Sequence, residues 1–278
     1  MRGTISVFTL VFILSCYVFP VHATYIRMLT RFTTQPTDYG VRLRLFIKNM
    51  GDETAHIIQS KVVIASATMH TDSISLIRTG LEIHRDLFFK IRFPSPGHYP
   101  LIIKTVYRDK NGHRFSVLNC GFYVHEKPAM PEFIIDSSSA DIAEKGKSAI
   151  DFIVRNTGAE TRDISFKLHL PDELQADNDK IKISLPPEGS RKISFMITNL
   201  SALKGSSYAL WLMGRYEDTK KNLHYTGYGT GMIKIKPKAL FLRLPQWVLI
   251  GSDSILIILF ILFQFKWLIP YFKFSRNS

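Results

Sequence analysis

The sequence predicts an all-β chain with one helix at its C-terminal end. Three observations carry this prediction. Two long apolar runs are confined to the ends of the 278 residues, the middle is written twice, and that middle is built from short alternating stretches closed by turn residues. Each half of the middle has about 100 residues, the size of one immunoglobulin-like sandwich. The predicted architecture is therefore two tandem immunoglobulin-like β-sandwiches followed by one transmembrane α-helix.

Residues 1–23 read as a signal peptide. Arg2 supplies the positive start, Ile5 to Leu14 is an uncharged run, and Val21-His22-Ala23 offers compact residues at a cleavage site. A lipoprotein reading stands beside it, because Ile13-Leu14-Ser15-Cys16 loosely matches a lipidation box, although Leu14 is bulkier than that box usually carries.

The first module is assigned to residues 24–126, a linker to 127–132 and the second module to 133–238. Lys48-Asn49-Met50-Gly51-Asp52-Glu53-Thr54 returns one module later as Arg155-Asn156-Thr157-Gly158-Ala159-Glu160-Thr161. Tyr99 to Asp109 returns in the same way as Tyr208 to Asp218. Val41 to Lys48 alternates apolar and basic residues, as a half-buried strand does, and Ala149 to Val154 is its counterpart. Asn49 with Gly51, and Asn156 with Gly158, are expected to turn the chain through left-handed backbone. Leu87 to Phe93 and Arg191 to Thr198 read as middle strands. Tyr99 and Tyr208 each open a strand after a glycine-containing turn, the placement of a tyrosine corner. Lys110-Asn111-Gly112 marks a hairpin. The two prolines of Lys127-Pro128-Ala129-Met130-Pro131-Glu132 suit a short, stiff linker.

Residues 239–246 form a juxtamembrane segment, and residues 247–267 the transmembrane helix. At 1.5 Å per residue that span is about 30 Å, the thickness of a hydrocarbon core. Trp247 marks one interface, and Trp267 with Tyr271 the other. Residues 268–278 are a short basic cytoplasmic tail. Asp253, flanked by Ser252 and Ser254, has two readings: a carboxylate near the headgroups, or an intramembrane docking face for another helix. The signal peptide sets the orientation, with the modules extracytoplasmic, periplasmic or at the cell surface.

The run Asn-x-Gly-x-Glu-Thr, then a strand, then Leu170-Pro171-Asp172-Glu173-Leu174, resembles prokaryotic immunoglobulin-like modules of the CARDB and surface-glycosidase-associated type. The first half departs from this pattern by lacking the Leu-Pro element. The resemblance implies an envelope interaction module and brings no catalytic residues with it.

The residues themselves point to the same class. No phosphate loop, Gly-x-Ser-x-Gly elbow or His-Glu-x-x-His pair occurs, so no enzyme, cofactor or metal is expected. Asp172-Glu173 and Asp177-Asn178-Asp179 could be imagined as a calcium loop, but they lack its spacing and read as a solvated loop. Cys120 is expected to be a buried thiol, and Asn199-Leu200-Ser201 is a glycosylation sequon.

The formal net charge of +13 lies mostly between the two ends. It favours anionic partners, and outside the cytoplasm those are acidic polysaccharide, lipid headgroups or an acidic protein rather than nucleic acid. The leading expectation is a membrane-anchored, non-catalytic binding or scaffolding protein whose partner is another envelope or membrane protein. The alternatives are an accessory subunit docking through its helix, and a polysaccharide-binding protein using Trp211, Tyr225 and Tyr228.

Overall fold

A computed structural model describes residues 25–236. The expectations for the signal peptide, Cys16, the transmembrane helix, its tail, and Ser252, Asp253 and Ser254 lie outside the described residues. Among the described residues no helix is long and apolar enough to cross a membrane.

The described chain is all β. Strands β1 (Met28–Thr37), β2 (Gly40–Asn49), β3 (Ala55–Ile64), β4 (Ala67–His70), β5 (Ile74–Ile77), β6 (Glu82–Lys90), β7 (Gly97–Arg108) and β8 (Arg114–His125) build the first half. The second half contains β9 (Phe133–Ile135), β10 (Ser138–Ala143), β11 (Lys147–Asn156), β12 (Arg162–His169), β13 (Leu174–Ala176), β14 (Lys180–Leu185), β15 (Ser190–Asn199), β16 (Ser207–Asp218) and β17 (Leu223–Lys236).

Each half is a sandwich of two sheets. In the first, β1-β2-β6 faces a sheet in which β7 lies between β3 and β8, with β4 and β5 on the outer side of β3. In the second, β13-β15-β11-β9 faces β14-β12-β16-β17, with β10 added in parallel to β17. Period-two alternation explains the two cores. Val41, Leu43, Leu45 and Ile47 point inward from β2, while Arg42 and Arg44 point to solvent. Ile150, Phe152 and Val154 do the same from β11.

The repeated Asn-x-Gly blocks occupy equivalent places for a reason other than the one expected. None of Asn49, Gly51, Asn156 and Gly158 has a positive φ. Instead each asparagine is a buried hydrogen-bond hub. Asn49 Nδ2 donates to the carbonyls of Glu53 (2.7 Å) and Ile77 (3.1 Å), and its Oδ1 accepts from the Gly51 amide at 3.0 Å. Asn156 Nδ2 donates to the carbonyls of Glu160 (2.8 Å), Leu185 and Pro186, and its Oδ1 accepts from the Gly158 amide at 3.0 Å. The glycines are required because the incoming segment of each half presses on them. A Cβ at Gly51 would fall on the Tyr25 carbonyl, and one at Gly158 would fall 2.6 Å from the Glu132 carboxylate.

Both tyrosine hydroxyls hydrogen-bond backbone a few residues upstream. Tyr99 donates its hydroxyl to the Ser95 carbonyl at 2.7 Å, and the Tyr208 hydroxyl accepts from the Leu203 amide at 3.2 Å. Lys110-Asn111-Gly112 closes the β7–β8 hairpin, with Gly112 at φ 84°. The segment 127–132 is packed rather than free-standing, since Ala129 is buried in the second core and Glu132 is ion-paired to Arg162.

Candidate binding cleft between the two halves

The outer face of the β7–β8 region in the first half meets the outer face of β16–β17 and the β12–β13 loop in the second. Strand β8 makes this contact because it is apolar on both faces. Tyr123 faces its own core, while Leu118 and Cys120 point away from it and bury against Met213, with Ile102 and Trp211 packed around them. Burial among these apolar groups pushes the Cys120 thiol up, so it stays protonated and inert at neutral pH.

An acidic clamp closes the junction. Glu173 is 2% exposed, and its carboxylate accepts from both the Ser116 amide and the Ser116 hydroxyl at 2.6 Å. The Ser116 hydroxyl oxygen in turn accepts from the Asp172 amide at 2.7 Å. The Asp172 carboxylate holds Lys104 at 2.7 Å and Arg114 at 2.8 Å, both on the first half. The sequence suggested a solvated loop at Asp172-Glu173. The structure corrects this, because the loop inserts its acids into hydrogen-bond donors of the other sandwich, which a buried carboxylate requires. Among the described residues no group of three or more His, Cys, Asp or Glu is placed to hold a metal ion.

Aromatic stacking lines the other end of the junction. Tyr99 and His224 stack with ring centroids 4.3 Å apart and planes within 3°. The single parallel register contact between the halves, Gly97 with His224, sits beside them, and the His224 amide donates to the Pro96 carbonyl at 2.9 Å. Gly97 has φ 138°, and a Cβ there would strike the His224 backbone. His98 stacks on Phe122 at 4.6 Å, Phe122 leans on Tyr228, and Tyr228 meets Trp211 edge-on at 5.0 Å. Burial lowers the pKa of both His98 and His224. Of the aromatic residues considered for sugar binding, Trp211 and Tyr228 thus share the junction. Tyr225 is buried in the second core, stacked on Tyr216 at 4.7 Å.

Beyond the clamp the two sheets splay apart and leave a cleft of about 970 Å³. One wall comes from β3, β4 and β7 and carries Lys61 and Lys104; the other comes from β12, β14 and β16 and carries Lys167, Lys180 and Arg215. Asp172 and Asp179 are the acids of the lining, and Asp172 is already occupied by Lys104 and Arg114. Among the described residues, Lys61, Lys167, Lys180 and Arg215 have no ion-pair partner, so the cleft is positive on both walls. His169 lies between them. Its burial, followed by the charges of Lys167 and Lys104, outweighs Asp179 and lowers its pKa to about 4. The imidazole is therefore neutral at pH 7 and adds no charge to the lining.

The remaining site expectations also find their places. Asn199, the sequon asparagine, is folded inward: its Nδ2 donates to the Glu144 and Ala202 carbonyls and its Oδ1 accepts from the Ala202 amide at 2.7 Å. The folded chain therefore does not present that amide for modification. Ser116, Glu173 and Asp172 carry the junction, although Ser116 has nothing in its local pattern to mark it and Asp172-Glu173 stands out only as an acidic patch. The available signal was the nearly continuous apolar run of β8, which a strand covered on one face only does not need.

A scan against models of known protein families returns no match, and a search of curated proteins also returns none. Solved structures that the chain matches include Escherichia coli α2-macroglobulin activated by porcine elastase, 9% identical with a TM-score of 0.31, covering 78% of this chain and 22% of that one. Red sea bream transglutaminase is 10% identical with a TM-score of 0.27, covering 76% and 32%. Salmonella α2-macroglobulin reacted with methylamine is 10% identical with a TM-score of 0.33, covering 76% and 16%. The chain thus spans between about a sixth and a third of the length of these structures.

Proposed function

We propose that this chain is a membrane-anchored, extracytoplasmic, non-catalytic binding and scaffolding protein. It acts through two immunoglobulin-like modules held as one body, with the cleft between them as the partner-binding surface. One observation supports this above the rest: the Asp172–Glu173 clamp and the apolar contact behind it fix two sandwiches so that unpaired lysines and an arginine face each other across open space. Unpaired cations that face one another repel, and an anionic partner between them removes that cost. The apolar ends of the sequence support export and anchoring.

The test uses the full-length chain in its own membranes. A photo-crosslinking residue placed at Val63, inside the cleft, should capture a discrete partner. Charge reversal at Lys61, Lys167 and Arg215 should abolish the capture, whereas reversal at Lys145, outside the cleft, should not. Capture that ignores the cleft charges, or a full-length product found free in the cytosol, would remove the proposal.

A further inference from the structure

We propose that the cleft takes an acidic polypeptide segment in extended conformation, with carboxylates alternating with apolar side chains. This rests on the cleft being the partner surface, as proposed above. The argument starts from the period of a strand. Residues two apart point the same way, about 6.6 Å from one another. On β3 the cleft-facing row is Gln59, Lys61 and Val63; on β7 it is Ile102, Lys104 and Val106; on β16 it is Met213 and Arg215; on β12 it is Ser165, Lys167 and His169. A cation therefore stands beside an aliphatic group on β3, β7 and β16, while Lys167 on β12 stands between Ser165 and His169. An extended peptide repeats its own side chains at the same spacing, so carboxylates can meet Lys61, Lys167 and Arg215, while Lys104 stays with Asp172 and the intervening apolar groups meet valine, isoleucine and methionine.

Other anions fit these walls less well. A polysaccharide would be expected to stack on exposed aromatic faces. Among the described residues, the only Phe, Tyr or Trp in the lining is Phe166, which is buried in the second core. Trp211, Tyr228 and Phe122 are gathered in the junction and lie outside the lining. A lipid headgroup at a bilayer would require a face open to a plane, whereas this site has a wall on each side.

The experiment measures fluorescence anisotropy of a labelled octapeptide alternating glutamate and valine, titrated with the full-length protein in an uncharged detergent. A glutamate–glycine octapeptide, polygalacturonate and inorganic phosphate serve as competitors. The alternating peptide should bind at least about tenfold more tightly than the glutamate–glycine peptide. The K61E/K167E/R215E variant should weaken it by roughly thirtyfold or more, and K61A/K167A/R215A should do so to a lesser degree, with the circular dichroism of both unchanged. Polygalacturonate binding as well as the peptide, or peptide binding that ignores these substitutions, overturns the proposal. If the octapeptide fails while the Val63 crosslinker still captures a partner in a charge-dependent way, the acidic-peptide assignment falls and the partner-surface reading stands. If both fail, both fall.

Discussion

The two halves share a plan and differ in how each secures its incoming segment. Both place an asparagine hub at the end of an inner strand, Asn49 in one and Asn156 in the other, and both press that segment onto a glycine two residues later. In the first half the segment is tied mainly by backbone: the Met50 amide donates to the Arg27 carbonyl at 2.7 Å and the Asp52 amide to the Tyr25 carbonyl at 3.0 Å, with a single carboxylate added, Asp52, which accepts from the Tyr25 amide at 2.6 Å. In the second half a side-chain network ties it. Arg162, 8% exposed, reaches Glu132 at 2.6 Å, Glu160 at 3.1 Å and Asp218 at 3.3 Å, and lies over the Tyr216 ring. The position aligned with Arg162 in the first half is Ala55, fully buried in the core. A duplicated fold has thus kept its backbone hub while the fastening of the incoming segment has diverged.

The largest consequence should be at Arg162. Arg162→Ala leaves the buried Asp218 carboxylate and Glu132 with only the exposed Lys221 ammonium, 3.9 Å and 3.3 Å away, and should destabilise the chain by about 3 kcal/mol in chemical unfolding. Arg162→Lys should recover little, because a point charge cannot span three carboxylates in a fork. A cost below about 1 kcal/mol for Arg162→Ala would show that the network is no more than a surface pair.

The two glycines sharpen the same contrast. At Gly51 a methyl group meets fixed backbone of Tyr25 and Arg27; at Gly158 it meets the movable Glu132 side chain. Gly51→Ala should therefore cost about 3 kcal/mol and Gly158→Ala about 1 kcal/mol, both read from denaturant midpoints. Equal costs would mean that both incoming segments are fastened in the same way after all.

The next effect concerns the junction. Glu173→Ala leaves the Ser116 amide and hydroxyl without an acceptor and should cost about 2 kcal/mol. Its sharper signature is chemical. Cys120, buried between Leu118 and Met213, should become reactive to thiol reagents in peptide-resolved labelling while both cores stay folded. Continued protection of Cys120 would place the junction's strength elsewhere.

The smallest effect is on pH. His98, His169 and His224 all lie at or beside the junction, and burial lowers the pKa of each below 6.5. In the unfolded chain they bind protons first, so stability is full above the unfolded value and falls as pH drops through it. For His169 the loss is complete below its folded value of about 4. Thermal unfolding should show a midpoint that declines over this window, and His169→Gln should flatten the decline. An unchanged slope in that variant would assign the acid sensitivity to other groups.

The strands were legible because burial on one face writes itself as alternation. Val41 to Lys48 and Ala149 to Val154 needed no more than that, and the repeat supplied the boundaries. The asparagine and glycine positions were legible as landmarks, but their reason was not. A side chain bridging Glu53 to Ile77, or a carbonyl pressing on Gly51, leaves no local signature. The clamp was hidden for the same reason. Ser116 and Glu173 are distant in the sequence, and each alone reads as an ordinary polar residue of a strand or loop. The double-sided apolar character of β8 carried that information, and it becomes readable only once the inward face is known to be filled by Tyr123 and its neighbours.

The central claim is that the two sandwiches form one body held by the Asp172–Glu173 clamp, with an open cationic cleft beside it. Spin labels at Ser66→Cys and Lys182→Cys, one on each half of a full-length chain carrying Cys16→Ser and Cys120→Ala, test it most directly through their distance distribution. A single narrow distribution that broadens in Glu173→Ala is the predicted result. A broad distribution in the parent chain, unchanged by that substitution, would contradict it.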